Sequence, residues 1–297
     1  MSTAQSRRNL GAIAWMVFAV GVLSMMDAAM KWLSPHYPPL QVAAMRGMAS
    51  LPIVLVWLLL RGGLRQVVKV RWLLQIARGL MAVLMLTCFV YAVRALPLAD
   101  AYSIFFVSPL LITAMSVPLL GEHVDARRWI AIACGLVGVL VVLRPTGAGT
   151  LTLAGVAALA AAACYSLGAI TMRVLGRTDT TGSMMFWFTA LVAVGAGALA
   201  APGWVSLRSE HWPVLVVVAL TGALGQYAVT EAFRTGEASV VAPFEYTAIG
   251  WGVSLDWLFW STRPGTRMLT GAAIVIAAGL YLIHRERARP RFEAAHS

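Results

Sequence analysis

Long apolar runs, separated by short polar breaks, alternate along the whole chain. Each run is about as long as the roughly 20 residues that an α-helix needs to cross a bilayer. We identify ten such runs, at residues 11–34, 40–60, 72–94, 98–120, 127–144, 151–173, 183–201, 212–233, 238–260 and 266–284. No strand-like alternation competes with them, and an open sheet would leave its backbone groups unsatisfied in lipid. The pattern predicts an all-α membrane protein with ten transmembrane helices.

The amino-acid composition excludes a soluble domain of this size. Hydrophobic residues make up 60% and charged residues 12% of the 297 residues, and the mean hydropathy is +0.80. This leaves too little polar surface to cover a soluble domain of that length. The lipid bilayer is therefore the expected partner of most of the surface.

The net charge of +11 is distributed as in a membrane protein, and no nucleic-acid partner is expected. If the N-terminus is cytoplasmic, most Lys and Arg residues outside the spans fall in inner segments. The outer segments then hold only Arg94, Arg144, Arg208, Arg263 and Arg267. By the positive-inside rule, both termini are predicted to be cytoplasmic, and the basic tail is expected to lie at the anionic inner leaflet.

The two halves of the chain repeat each other. Residues 72–94 align with residues 212–234 without a gap, and Trp72/Trp212 and Arg94/Arg234 are among the identities. Because each half holds an odd number of spans, the halves have opposite orientations in the membrane, an arrangement typical of secondary transporters. The predicted domains are a first five-helix repeat (1–147), a second, inverted five-helix repeat (148–285) and a basic cytoplasmic tail (286–297).

The stretch YAVRALPLADAYSIFFVSPLLITAMSVPLLGEHVDARRWIAIACGLVGVLVVLRP at 91–145 resembles the half-repeat of the drug/metabolite transporter superfamily, EamA type. The shared features are the Tyr-Ala-Xaa-Arg opening, the Ser108-Pro109 pair, Gly121-Glu122, and two glycines in the final helix, Gly135 and Gly138. The second half, at 231–260, matches more weakly. It departs from the pattern where Ser261-Thr262 replaces Gly-Glu, so no functional role is assigned to Glu122.

This resemblance covers about residues 10 to 285 and implies a monomeric transporter of the bacterial inner membrane that works by alternating access. The segments SMMDAAMKWL and APFEYTAIGW are similar to the branch that exports aromatic and other neutral amino acids. Export of such amino acids is the predicted function. The alternatives are export of cationic drugs, and uptake or exchange of a metabolite such as S-adenosylmethionine.

Motifs for other kinds of chemistry are missing from the sequence. It contains no phosphate-binding G-x-x-x-x-G-K-[ST] and no HExxH, which argues against nucleotide hydrolysis and against a metalloprotease. The cysteines Cys88, Cys134 and Cys164 fall in different spans without a CxxC spacing. We therefore expect a protein that is not an enzyme and that has no cofactor and no metal site.

Two charges interrupt the first span. A charge near the bilayer centre costs about 2.5–3.5 kcal/mol, so such a residue usually faces a partner or a cavity. Asp27 and Lys31 lie one turn apart on the same helix face. Three interpretations stay open. Asp27 pairs with Lys31, which reaches towards the outer interface; Asp27 belongs to a substrate or proton site; or Asp27 serves in helix packing.

A carboxylate in the ninth span raises the same question. Glu245 follows Pro243, which lacks an N–H and should loosen the helix where a substrate could bind. Glu245 could instead pair with Arg46 or Arg78, and Arg78 could equally extend to the inner surface.

A zwitterionic amino acid could use these charges. Its ammonium group would meet Glu245 or Asp27, its carboxylate would meet Arg46, and its side chain would rest among aromatic residues. The candidate substrate-binding residues are Asp27, Arg46, Tyr102, Trp187, Gln226, Glu245, Tyr246 and Trp251. Asp27 and Glu245 are also the candidates for proton coupling.

Overall fold

The computed structural model describes residues 3–61, 65–68, 70–105, 107–122 and 152–261, with isolated positions between 126 and 137 and between 266 and 277. This part of the chain is helical and contains no β-strand. Its α-helices are α1 (Thr3–Leu33), α2 (Pro39–Arg61), α3 (Arg65–Val68), α4 (Trp72–Ala95), α5 (Leu98–Phe105), α6 (Ser108–Leu120), α7 (Leu153–Leu175), α8 (Thr181–Ala200), α9 (Trp212–Thr235), α10 (Ala238–Val241) and α11 (Ala248–Trp260).

Six of the described helices, α1, α2, α4, α7, α8 and α9, are long and apolar enough to cross a membrane. The all-α membrane fold is confirmed, and five of these helices begin and end close to the predicted bounds. α1 begins at Thr3 rather than at residue 11. Its first turns contain Ala, Gln and Arg, which have high helix propensities although Gln and Arg are polar. The predicted spans at 127–144 and 266–284 and the basic tail lie outside the described residues, apart from isolated positions.

The fourth and ninth predicted spans are broken helices. The fourth was expected as one helix over 98–120; instead α5 ends at Phe105 and α6 begins at Ser108. Pro109 lies in the first turn of α6, where a missing N–H costs no helical hydrogen bond. The ninth span contains α10, a 3₁₀ segment at Ala242–Thr247 and then α11. The predicted loosening of the helix at Pro243 is therefore confirmed.

The described helices pack with a pseudo-two-fold arrangement. α1 packs on α9 in the same way as α7 packs on α4, and α2 contacts α9 as α8 contacts α4. α2 and α8 also pack against each other. The helices α6 and α11 also end alike, since Gly121 and Ser261 both adopt left-handed conformations, with φ of 68° and 53°. This packing supports the internal repeat, while the exact domain limits stay a prediction.

Small residues allow the central helices to approach closely. A Cβ atom added to Gly47 of α2 would lie 2.5 Å from the backbone nitrogen of Ala193 in α8. One added to Gly79 of α4 would lie 2.5 Å from the side chain of Leu191, also in α8. Close backbone contact of this kind is a main source of packing energy between helices in lipid.

Candidate functional site

A cavity of about 140 Å³ lies where the two halves meet. Its walls come from α1, α2, α4 and α5 of the first half and from α7, α8, α9, α11 and the 3₁₀ segment of the second half. Methionine, phenylalanine and aliphatic side chains make up most of the lining. The ionisable and amide side chains in it are Asp27, Arg46, Arg78, Tyr102, Tyr165, Gln226 and Glu245.

A tyrosine hydroxyl holds the carboxylate of Asp27 in the first half. The Oη atom of Tyr102 in α5 donates a hydrogen bond of 2.8 Å to Asp27 Oδ2 in α1. Tyr102 is only 4% exposed and packs on Phe89 in a stacked geometry. The hydrogen bond therefore joins the first and fourth spans beside the cavity.

The second half contains a corresponding pair. The Oη atom of Tyr165 in α7 donates a hydrogen bond of 2.9 Å to Glu245 Oε1. Glu245 lies in the 3₁₀ segment two residues after Pro243, and it is 5% exposed. Its Oε2 atom is buried and has no hydrogen-bond partner within 3.5 Å among the described residues, and the hydroxyl of Ser108 at the start of α6 lies close enough to interact with the carboxylate. One oxygen of this carboxylate is thus available to a ligand.

Two buried arginines face the same cavity. Arg46 donates from Nε to Met26 Sδ at 3.1 Å and from Nη2 to Gln226 Oε1 at 3.5 Å. Arg78 donates from Nη1 to the carbonyl oxygen of Met184 at 2.9 Å. These acceptors are uncharged, so neither guanidinium group has a counter-ion in hydrogen-bond contact among the described residues.

Two ion pairs that the sequence left open as alternatives, in the first and ninth spans, are not formed. Lys31 does not pair with Asp27; its Nζ atom lies 2.8 Å from Asp256 Oδ1 in α11, and it also lies 4.4 Å from the ring centroid of Trp260. Asp256 attracts Lys31 from a neighbouring helix because the two helices contact each other there. Asp27 instead accepts a hydrogen bond from Tyr102 and lines the cavity.

The alternative pairing of Glu245 with an arginine is also not formed. Tyr165 is its side-chain partner, and no ion pair of 4.0 Å or less joins it to Arg46 or Arg78. Arg78 does not extend to the inner surface either, because it is only 2% exposed. The buried charges therefore face a shared cavity rather than each other.

Five predicted site residues line this cavity together, namely Asp27, Arg46, Tyr102, Gln226 and Glu245. The other three lie elsewhere. Trp187 donates to the carbonyl oxygen of Val67 at 2.9 Å, Tyr246 is buried in an apolar cluster beside the cavity, and Trp251 is 44% exposed. Substrate contact by any of the eight stays a prediction.

The comparison with known families settles which group of proteins this is. The model of the EamA-like transporter family matches the chain twice, over residues 10–144 and 152–285. The chain belongs to the EamA-like transporter family. The two matches follow the internal repeat, and together they include every helix that lines the cavity.

Curated relatives of this EamA-like transporter cover nearly the whole chain. It is 26% identical to the pseudopaline exporter CntI of Pseudomonas aeruginosa, over 90% of this chain and 93% of the relative. It is 27% identical to a riboflavin transporter of Rhizobium johnstonii, over 96% of this chain and 95% of the relative. It is 24% identical to an S-adenosylmethionine uptake transporter of Rickettsia prowazekii, over 94% of each chain. These relatives are transporters of small molecules in bacteria.

A solved structure supports the fold of the EamA-like transporter. A protein crystal structure superimposes with a TM-score of 0.77 and covers 95% of this chain and 99% of that one. Only 18% of the aligned residues are identical. The likeness therefore shows the fold alone.

The predicted site omits several residues that line the cavity. Arg78, Tyr165 and Phe188 are among them, as are the methionines Met26, Met81, Met85 and Met172. Arg78 was visible in the sequence as a charge inside a span, but its distance from the inner end also fitted a side chain that reaches the surface. No sequence signal distinguished the methionines of the cavity from those that pack in the core.

Proposed function

We propose that this EamA-like transporter exports amino acids, aromatic and other neutral ones, across the inner membrane by alternating access. The observation that carries the proposal is that two carboxylates and two arginines meet in one largely apolar cavity between the halves. Secondary transporters with inverted repeats bind their substrates at this place. A zwitterion presents both charges that such a cavity can complement.

The cavity contains polar atoms without a hydrogen-bond partner among the described residues, and these atoms suggest how the amino acid binds. Its ammonium group would donate to Glu245 Oε2, which has no partner among the described residues. Its carboxylate would accept from Arg46 Nη1, which also lacks one. The side chain would rest against Phe89, Phe105 and the methionines, which adapt to different shapes.

The size of the cavity favours a small solute. Pockets for drug-sized ligands usually have about 300–1,000 Å³, whereas this cavity has about 140 Å³. An amino acid suits the smaller volume better than a cationic drug does. The two arginines also disfavour a substrate that carries only positive charge.

Alternating access would follow from movement of one half against the other, with α2 and α8 in contact between them. Asp27 and Glu245 are the groups proposed to carry a proton if export is coupled to a proton gradient. The transporter is proposed to act as a monomer, without catalysis, with both termini in the cytoplasm. The relative named a pseudopaline exporter supports the outward direction.

Uptake of an S-adenosylmethionine-like metabolite is the second candidate. A relative carries that name, and such a metabolite has an amino acid end that the same charges would bind. Its flat base would need more room than the cavity offers in this state. Export of a neutral amino acid remains the better match to the geometry.

Efflux from proteoliposomes tests the proposal. Vesicles are loaded with labelled phenylalanine, tryptophan, threonine or methionine, with and without a pH gradient, for the wild type, Glu245→Gln and Glu210→Gln. Glu210 is a matched control because its side chain is 66% exposed and lies away from the cavity. We expect saturable efflux from the wild type and the control, with a strong loss in Glu245→Gln.

Competition separates the alternatives. Other neutral amino acids should inhibit efflux, and S-adenosylmethionine should not. If labelled amino acids stay inside under every condition while a cationic dye leaves, amino acid export is wrong. If S-adenosylmethionine is transported and amino acids are not, the second candidate replaces the first.

A further inference from the structure

Arg46 of α2 and Arg78 of α4 lie against one phenyl ring in the cavity. Their guanidinium carbons are 5.4 and 4.9 Å from the ring centroid of Phe188. The distance between the two guanidinium groups therefore cannot exceed the sum of these two distances. They are also deeply buried, with 6% and 2% exposure. Both positive charges act on the same part of the cavity.

Each guanidinium group keeps an unused donor. Arg46 Nη1 and Arg78 Nη2 are buried without a hydrogen-bond partner among the described residues. Within the same residues, no carboxylate lies within the 4.0 Å of an ion pair from either group. A guanidinium group offers five N–H donors and prefers to bind carboxylates through two of them. Each arginine thus has a donor that no described residue uses and that can bind an acid group.

The energetic cost of this arrangement argues for two anions rather than one. A buried arginine near the bilayer centre costs about 2.5–3.5 kcal/mol even on insertion scales. The cation–π contacts with Phe188 offset only part of that cost, since Phe is a weaker partner than Trp or Tyr. If each arginine binds its own carboxylate, a substrate with a single carboxylate leaves one guanidinium group without an anion.

We propose that the preferred substrate carries two acid groups and one amine, as an amino acid with a second carboxylate on its side chain or on its nitrogen. This inference rests on the proposed transport of amino acids through this site, and it goes beyond the neutral amino acids to a class with a second acid group. One carboxylate binds Arg46 and the other binds Arg78. The amine binds Glu245 Oε2, across the cavity in the second half.

The proposal also explains why the cavity combines charges of both signs. Asp27 and Glu245 accept hydrogen bonds from tyrosines, and Asp27 attracts Arg46 through its charge without a hydrogen bond to it. The unused donors of both arginines therefore stay available to the substrate. A mono-acid, such as phenylalanine, would use Arg46 alone. Arg78 is therefore a specificity-determining residue that distinguishes a diacid from a mono-acid.

Equilibrium binding to the purified transporter in lipid nanodiscs tests this assignment. The probes are N-carboxymethyl-phenylalanine, its carboxamide analogue, in which the added acid is replaced by an amide of similar size, and phenylalanine. For the wild type we expect the diacid to bind about tenfold more tightly than the carboxamide, as expected for one added hydrogen-bonded charge pair. Arg78→Gln should remove this preference, because the carboxamide and the diacid then meet the same uncharged side chain.

Two further variants make the result specific. Arg78→Lys keeps the positive charge but cannot bind a carboxylate in a bidentate way, so it should retain part of the preference for the diacid over the carboxamide. Arg61→Gln serves as the matched control, because Arg61 is exposed at the end of α2, and it should behave as the wild type. Melting temperatures show whether each variant is folded.

Several outcomes would overturn the inference. If the wild type binds the diacid and the carboxamide equally, the second acid group is not recognised, whatever the variants do. If Arg78→Gln weakens all three probes alike at an unchanged melting temperature, both arginines act on one carboxylate. Phenylalanine still binds in both cases, so the proposed function survives. Failure of that function instead appears as no binding of any probe while a cationic dye binds.

Discussion

Each half of the molecule joins its first and fourth spans by a hydrogen bond between a tyrosine and a carboxylate, but the two partners change places. In the first half the carboxylate, Asp27, lies on the first span and Tyr102 lies on the fourth. In the second half Tyr165 lies on the first span and Glu245 on the fourth. The repeat thus preserves a contact between spans, while each half assigns its charge to a different helix.

In this arrangement, the segments that carry like groups are in contact. The segments that carry Asp27 and Glu245 contact each other, and so do the helices α5 and α7 that carry the tyrosines. The aligned spans α4 and α9 differ as well. In the sequence alignment, Arg78 corresponds to Val218 and Leu86 corresponds to Gln226. A nearly symmetric frame therefore encloses an asymmetric cavity, which is what recognition of a ligand with two different ends requires.

The strongest test of the comparison is to neutralise each carboxylate in turn. We expect Glu245→Gln to lower transport efficiency by about 100-fold, near the upper end for losing a hydrogen bond to a charged group. Asp27→Asn should lower it by only about tenfold, because Glu245 has the unpartnered oxygen. Transport rates over a range of substrate concentrations give both values, with Glu210→Gln as the control. Equal losses would show that the two carboxylates have the same role.

Removing the tyrosine hydroxyls should have a smaller and more even effect. Tyr102→Phe and Tyr165→Phe each delete one hydrogen bond to a carboxylate, and we expect each to lower transport efficiency by about fivefold to tenfold. Tyr91→Phe is a suitable control, since Tyr91 is 38% exposed on α4. If only one of the two tyrosines matters, the pairs are related by position but not by function.

A third difference between the halves concerns Glu122, after α6. Its Oε1 and Oε2 atoms accept hydrogen bonds of 2.9 and 3.0 Å from the backbone nitrogens of Ala238 and Ser239, at the start of α10. Glu122→Ala should lower the stability by about 1–2 kcal/mol, as loss of a helix cap does, and Glu122→Gln should lower it less. Thermal unfolding in one detergent measures both, and an unchanged melting temperature in Glu122→Ala would disprove the capping role.

The smallest expected effect is at the two left-handed helix ends. Gly121 tolerates a positive φ, whereas Ser261 adopts one at a cost of about 1 kcal/mol. Ser261→Gly should therefore raise the melting temperature slightly, and Gly121→Ser should lower it by a similar amount. If both substitutions lower it, the serine side chain contributes something that glycine cannot.

The sequence predicted the positions of the spans well, because the length of an apolar run reports directly on the thickness of the bilayer. It did not predict how each helix is rotated. Trp251 and Tyr102 are both aromatic residues inside spans, yet one is exposed on the surface and the other lines the cavity. In lipid the outer surface is as apolar as the interior, so hydrophobicity does not distinguish these faces.

The sequence also did not indicate which charged side chains pair between distant helices. The spacing of Asp27 and Lys31 suggested a pair within one helix, whereas the observed partner, Asp256, lies 225 residues from Lys31 in sequence. Such contacts depend on the tertiary packing, which the local pattern does not specify. The broken fourth span shows the same limit, since Ser108-Pro109 stood in the sequence but its apolar neighbours suggested one continuous helix.

The cap that Glu122 provides has a consequence for the balance between conformations. If the two halves were identical, the states open to either side of the membrane would have equal free energy, because exchanging the halves converts one state into the other. Glu122 stabilises contact between α6 and α10 at the predicted inner side, and the sequence has Thr262 at the matching place in the second half. A difference of about 1 kcal/mol corresponds to a population ratio of about five. We therefore expect the resting transporter to spend most of its time closed towards the cytoplasm.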